Sequence, residues 1–257
     1  MGEGGEKAKI SLNLDAIELL KTLDSEQRQP TSQEQILLAS YVDFGGLRQM
    51  WDQRWKYYDE HERMDSLLTE QEIDAIKETS LNTHYTAIPV VDEIWKAAGA
   101  LGFKGGTVLE PGMGVGNFFG RMPEELSVRS DLIGIEKNII SGRMAQALYP
   151  DAKILVQPYE QVQLPNNSVD LIIGNPPFAD IKIADPEYRN PKLSVHNYFI
   201  VKSLDKLKPG GIAAVITSHY TLDSQGTRAR EEMFKRADLV AAIRLPTPHS
   251  NRMQERK

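Results

Sequence analysis

The residues best suited to chemistry stand in short runs, and the most distinctive is Gly174-Asn175-Pro176-Pro177-Phe178. Asn175 and Pro176 each precede a proline, which pushes both toward extended backbone and stiffens the turn. The prolines remove backbone N–H groups and leave a surface rich in carbonyl acceptors. The Asn175 amide oxygen and the Pro176 carbonyl are therefore candidate acceptors for an exocyclic NH2 group, with Pro177 completing the turn. Phe178 offers a face on which a base can stack. Upstream, VLEPGMGVGNF spans residues 108–118. Gly112, Gly114 and Gly116 permit a tight turn and close approach of backbone to a ligand. The carboxylate of Glu110 would repel a pyrophosphate, which favours donors and positive charge. It suits a cationic ligand instead, and S-adenosylmethionine, with a sulfonium and an α-amino group, is the expected cofactor.

Glu136 follows about 20 residues beyond the glycines, where an acid can accept both hydroxyls of a ribose. Tyr85 and Thr86 precede a helix expected from about Pro89. Hydroxyls and free N–H groups at such a start can hold a carboxylate. Taken singly, these runs read as a rigid turn, a strand-to-helix turn, a strand-end acid and a helix cap. Their order along the chain favours binding.

Positioning these residues requires strands that end where they begin. β-rich runs occur at TVLE (107–110), LIGIE (132–136), KILVQ (153–157), VDLIIGN (169–175), GIAAVIT (211–217) and LVAAIRL (239–245). Helical stretches fit Ile139–Leu148, Val195–Leu207 and Thr227–Arg236. The alternation predicts an α/β fold, a mostly parallel doubly wound Rossmann-like sheet with helices on both faces. Ligands bind such sheets at the carboxyl ends of the strands. Residues 1–80 read as a helical N-terminal region, with about the first eight residues disordered. Its helices start near Leu12, near Gln33 behind Thr31 or Ser32, and at Thr69. Residues 81–257 form the catalytic domain.

The chain has 257 residues, 40% of them hydrophobic, so a core can form. It has no cysteine, which excludes disulfides and thiolate metal sites, and no metal site is expected. No run approaches the ~18 apolar residues of a membrane span. The start has no apolar signal region, so a cytoplasmic location is expected. The net charge of −6 sits poorly with an unaided grip on phosphates. Basic residues do gather at Lys182, Arg189 and Lys192, and at Arg228, Arg230, Lys235 and Arg236.

With these motifs in order, the chain resembles the N6-adenine DNA methyltransferases whose cofactor motifs precede an NPP[FY] motif. It looks more closely like the methylase portion of very large methyltransferase–helicase proteins carried by plasmids, phages and integrative elements. The likeness runs from about residue 12 to Pro246 and includes YVDFGGL (41–47), LNTHYT (81–86), GFKGGTVLEPGMGVGNF (102–118), LPNNSVDLIIGNPPF (164–178), SVHNYFIVKSLDKLKPGG (194–211) and ADLVAAIRLP (237–246). The resemblance implies methyl transfer from S-adenosylmethionine to adenine in DNA. Glu110, Pro111, Gly112, Gly114, Gly116, Asn117 and Phe118 would line the methionine and sulfonium part. Glu136 would hold the ribose, Tyr159 would stand beside the cofactor adenine, and Glu160 or Gln157 would meet its amino group. Tyr85 and Thr86 would close the methionine end, and Asn175 would orient the target amine. Alternatives are another planar amine (RNA adenine, cytosine N4 or a protein glutamine), a non-catalytic SAM- or DNA-binding module, or an oxidoreductase on a similar sheet. The polar stretch after Pro246 has no alternating run. A last antiparallel strand and a target-recognition domain are therefore not expected within the chain, and DNA binding is expected to draw on another domain or chain.

Overall fold

Ile10, Leu14, Ile17, Leu20 and Leu23 recur at helical spacing and are buried along one face of α1 (Glu6–Glu26). The computed structural model describes residues 5–45, 47–80, 86–178, 183–188 and 193–245. The expected disorder of the first eight residues gives way to helix from Glu6. Glu6 lies in the first turn, where the helix dipole favours an acid, and its Oε2 accepts the Tyr57 hydroxyl at 2.7 Å.

α2 (Ser32–Ala39) starts in a capping box, with Glu34 N–H donating to Thr31 Oγ1 and Thr31 N–H donating to Glu34 Oε2. Two short helices absent from the sequence reading follow, α3 (Arg48–Asp52) and α4 (Tyr58–Leu67). α5 (Glu70–Ser80) opens on a second reciprocal pair, Thr69 with Glu72.

The second part begins with α6 (Ile88–Ala100) and β1 (Gly106–Pro111). It continues through α7 (Asn117–Gly120), α8 (Glu124–Ser127), β2 (Ser130–Glu136), α9 (Ile139–Leu148) and β3 (Lys153–Val156). β4 (Val169–Gly174), α10 (Val195–Lys206), β5 (Leu207–Val215), α11 (Tyr220–Asp223) and α12 (Arg228–Phe234) complete it. The five strands pair in parallel in the order β3-β2-β1-β4-β5. The strand order reverses between β1 and β4, so the crevice of the switch point opens at their carboxyl ends.

Strand side chains alternate between two cores. Val108, Leu171 and Ile173 pack with Trp95 of α6 and Ala145 of α9. Leu109 and Ile172 pack with Tyr198, Phe199 and Val201 of α10. A third core joins the N-terminal helices to the sheet part, because Val115, Ile140 and Met144 are buried with Ile10, Leu14, Tyr41 and Phe44.

Two strand readings need correction. β5 starts at Leu207, earlier than expected, because a register shift opposite Val169–Leu171 absorbs Pro209 and Gly210. Residues 239–245 form no strand; Val240 is 73% and Ile243 83% exposed. Strand preference needs a covering surface as much as a ladder, and no layer covers these side chains. Among the described residues, no helix is long and apolar enough to cross a membrane.

Ion pairs reinforce the junction between α9 and the N-terminal helices. Arg143 meets Asp24 and, at 3.6 Å, Glu72, while Lys21 Nζ lies 2.5 Å from Glu72 Oε1. Burial alone would raise the Glu72 carboxyl, but hydrogen bonds from Lys21 and Thr69 outweigh it and hold it below the usual value. Glu72→Gln should destabilise the fold by about 1–3 kcal/mol at neutral pH. A depressed carboxylate contributes fully above its unfolded pKa of about 4.3 and loses that contribution as pH falls through the folded value. The gap between wild type and variant in urea unfolding should therefore close in acid.

Candidate active site

Glu110 ends β1 with only 2% of its surface exposed, and its Oε2 meets no donor among the described residues. Burial, and then repulsion from Glu136, push its carboxyl well above the usual value. Glu136 ends the neighbouring β2 and is held differently. Its Oε2 accepts the Gly114 N–H at 2.8 Å and its Oε1 the Asn138 N–H at 2.7 Å. Burial raises the Glu136 carboxyl; these backbone N–H groups oppose the rise without cancelling it.

The loop between the two acids folds back over β2, where Gly112 and Met113 N–H both donate to the Ile135 carbonyl. Gly112 and Gly174 sit where the two segments meet. Both have positive φ, 72° and 143°. A Cβ on Gly112 would stand 3.2 Å from Pro177 Cδ, and one on Gly174 3.2 Å from Glu110 Cγ. The glycine loop and the Asn175–Phe178 turn are thus in contact, and Glu110 lies against the residue that introduces the turn.

β4 delivers this turn in parallel with β5, and Ile216 N–H donates to the Gly174 carbonyl at 2.9 Å. Pro176 is buried, whereas Asn175, Pro177 and Phe178 are partly open. The Phe178 ring sits 5.8 Å from that of His196, at the start of α10. Ser194 Oγ lies 3.1 Å from His196 Nε2, and burial lowers the imidazole's affinity for a proton.

The remaining expected site residues spread around this centre. Pro111 is the last residue of β1, Asn117 starts α7, and Phe118 is buried with its carbonyl accepting the Trp95 indole N–H. Thr86 precedes α6 and is half-buried; Tyr85 lies outside the described residues. Tyr159 is 2% exposed, its ring 5.0 Å from Phe199 and its hydroxyl 3.0 Å from Ser203 Oγ. Glu160 follows it in a 3-10 turn and is half-buried. Among the described residues, no group of three or more His, Asp or Glu is placed to hold a metal ion.

The sequence reading missed His196 and Asp43. Asp43 is 2% exposed with φ of 54°, and its Oδ1 accepts the Phe44 N–H at 2.7 Å. Its charge adds to the repulsion on Glu136, so the helical region reaches the end of β2. The only signal was its place in YVDFGGL, a run with no periodicity to exploit.

The chain is 28% identical over 258 residues to "Defense against restriction protein B" of Escherichia phage P1. The match covers 96% of this chain and 10% of that protein, so the chain spans about a tenth of its relative's length. Similar solved structures include the methyltransferase subunit of a type I restriction-modification system from Streptococcus thermophilus. It is 20% identical, with 60% of this chain and 38% of that one covered at a TM-score of 0.49. A TehB-like SAM-dependent methyltransferase from Corynebacterium glutamicum is 17% identical, with 55% and 70% covered at a TM-score of 0.38. Within this chain, residues 128–248, which hold β2 to β5 and the Asn175–Phe178 turn, match the family described as Eco57I restriction-modification methylase.

Proposed function

We propose that the chain transfers a methyl group from S-adenosylmethionine to the exocyclic N6 amine of adenine in DNA. The contact between the glycine loop and the Asn175–Phe178 turn carries this reading, because it sets a cation-suited pocket beside a base-suited surface. The methylase match over residues 128–248 supports it.

The residues fit the cofactor. Glu110 offers a buried carboxylate oxygen without a donor, and the α-ammonium of S-adenosylmethionine would supply one. Each Glu136 oxygen already accepts one backbone N–H and retains a lone pair for a ribose hydroxyl. When bound, the cofactor supplies a methyl group on a positively charged sulfur. Pro111, Gly116, Asn117 and Phe118 belong to the same pocket in this reading, with Tyr85 and Thr86 at its methionine end and Tyr159 and Glu160 near its adenine.

The Asn175 amide oxygen and the Pro176 carbonyl accept hydrogen bonds from the target amine and aim its lone pair at the methyl group. Phe178, backed by His196, holds the flipped-out base. The N–C bond would form as the S–CH3 bond breaks, its electron pair staying on sulfur as a neutral thioether, and the surplus proton on nitrogen would pass to water. Rate comes from positioning and from acceptors placed where positive charge develops. The net charge of −6 cannot supply the phosphate grip, which we assign to a further domain or chain.

Glu136→Ala should weaken cofactor binding by about 10- to 100-fold, the worth of one charge-assisted hydrogen bond or slightly more, read by calorimetry. Glu110 gives a pH signature. Its carboxyl is raised, and only the ionised form attracts a cation, so affinity should fall as pH drops through that raised value. Glu110→Gln should bind weakly with a flat pH profile; an unchanged profile in this variant would remove Glu110 from the pocket.

The decisive experiment is mass spectrometry of nucleosides from DNA of cells expressing the protein. N6-methyladenine should accumulate with wild type, and Asn175→Ala should lower turnover by about 100-fold or more while keeping cofactor affinity. Accumulation of N4-methylcytosine would move the reading to another amine.

A further inference from the structure

We infer that His219 and Tyr220, at the head of α11, form a second aromatic platform that stacks an unpaired nucleobase neighbouring the target. This rests on the DNA reading above and extends it to the strand on either side of the flipped base. β5 leaves the sheet beside β4: Val215 pairs with Gly174, and Ile216 N–H donates to the Gly174 carbonyl. Residues 217–220 therefore emerge next to Asn175, on the same edge of the sheet.

Their conformation is fixed. Thr221 is 4% exposed; its hydroxyl donates to Asn197 Oδ1 at 3.0 Å and lies 2.7 Å from Thr217 Oγ1. Asn197 follows His196, whose ring meets Phe178. One turn of α10 thus holds both the Phe178 side and the α11 side of the rim.

On this fixed turn the aromatic groups face outward. Tyr220 is 62% exposed, and its ring centroid stands 3.9 Å from that of His219. Apart from its contact with His219, the Tyr220 ring is largely open among the described residues. Base–aromatic stacking is sequence-tolerant, because every base has a π-face.

The surroundings suit a nucleic acid strand. Arg230 Nη1 donates to the Leu222 and Ser224 carbonyls and so sits at the far end of α11. Arg228 is exposed on the first turn of α12, and Arg244, with 74% of its side chain exposed, reaches Asp223. Arg228 and Arg230 thus belong to α12 and Arg244 to the stretch after it, with Arg244 paired to Asp223 of α11 and Glu231 on the same first turn of α12.

The test measures binding of a fluorescent single-stranded oligonucleotide to the whole chain at low salt, beside cofactor affinity by calorimetry. Tyr220→Ala should weaken oligonucleotide binding by about 10-fold, the scale of one lost stack, with cofactor affinity unchanged. Tyr220→Phe should bind like wild type, since stacking needs the ring and not the hydroxyl. Thr221→Val, which keeps both rings but removes their anchor, should also weaken binding. Equal affinity in wild type and Tyr220→Ala, or a Tyr220→Phe as weak as Tyr220→Ala, would overturn the platform alone. A wild type that binds cofactor but no oligonucleotide would overturn the platform, while the DNA reading, whose phosphate grip is assigned to a further domain or chain, stands or falls on the nucleoside analysis.

Discussion

Two acids stand at neighbouring strand ends, Glu110 buried and Glu136 half-buried, and among the described residues Glu136 receives backbone N–H groups while Glu110 Oε2 meets no donor. Burying a carboxylate without a donor costs stability, and Glu110 does this while Glu136 repels it. Replacing Glu110 by an apolar residue would relieve that penalty, and a cationic ligand donating to its Oε2 would offset it. Most of the local backbone follows from this constraint. A side chain at Gly174 would crowd Glu110 and one at Gly112 would crowd Pro177, and the positive φ of both adds strain for any other residue. The two glycines let the loop after β1 and the turn after β4 lie close together without crowding or backbone strain.

The helical region works as a buttress for the same edge. α9 follows Glu136 directly and is gripped from behind by α1, α2 and α5, through a shared core and the Arg143, Asp24 and Glu72 cluster. Asn138 caps α9, its Oδ1 accepting from Ile140 and Ser141 N–H, while its own N–H donates to Glu136. Any movement of α9 would therefore be felt at Glu136. Asp43 carries the coupling in the other direction: Asn13 of α1 holds its loop, donating to the Asp43 carbonyl and accepting the Val42 N–H.

Much of this was legible in the sequence, and the failures have physical reasons. Strands β1 to β4 and helices α9 and α10 appear within a residue or two of their expected limits, because apolar runs and turn residues there agree with the tertiary context. The Thr31 and Thr69 starts were legible because a cap is a local interaction. α3 and α4 were not, since five- and ten-residue helices with few apolar positions carry little periodicity. Residues 239–245 read as a strand from side-chain type alone, which says nothing about whether a partner layer exists. In the candidate site, the acids and the Asn175 turn were legible as strand-end motifs. His196 was not: a lone histidine in a helix gains meaning only when its neighbour across space is known.

α10 organises the far side of the crevice. Toward the core, Lys202 is 3% exposed, pairs with Asp185 at 2.9 Å and lies 5.0 Å from the Tyr159 ring centre. Asp185 also accepts the Tyr198 hydroxyl at 2.6 Å. Burial alone would raise the Asp185 carboxyl, but the Tyr198 and Lys202 hydrogen bonds hold it below its usual value. A buried ion pair contributes little net stability but is costly to break on one side, so it acts as a pin rather than an adhesive. It fastens the segment that follows the Asn175–Phe178 turn to the helix whose first residues contact Phe178. The same helix fixes Thr221 through Asn197. The Asn175–Phe178 turn and the exposed Tyr220 ring are therefore registered against one rigid element, and their separation is set by α10 rather than by the loops between them.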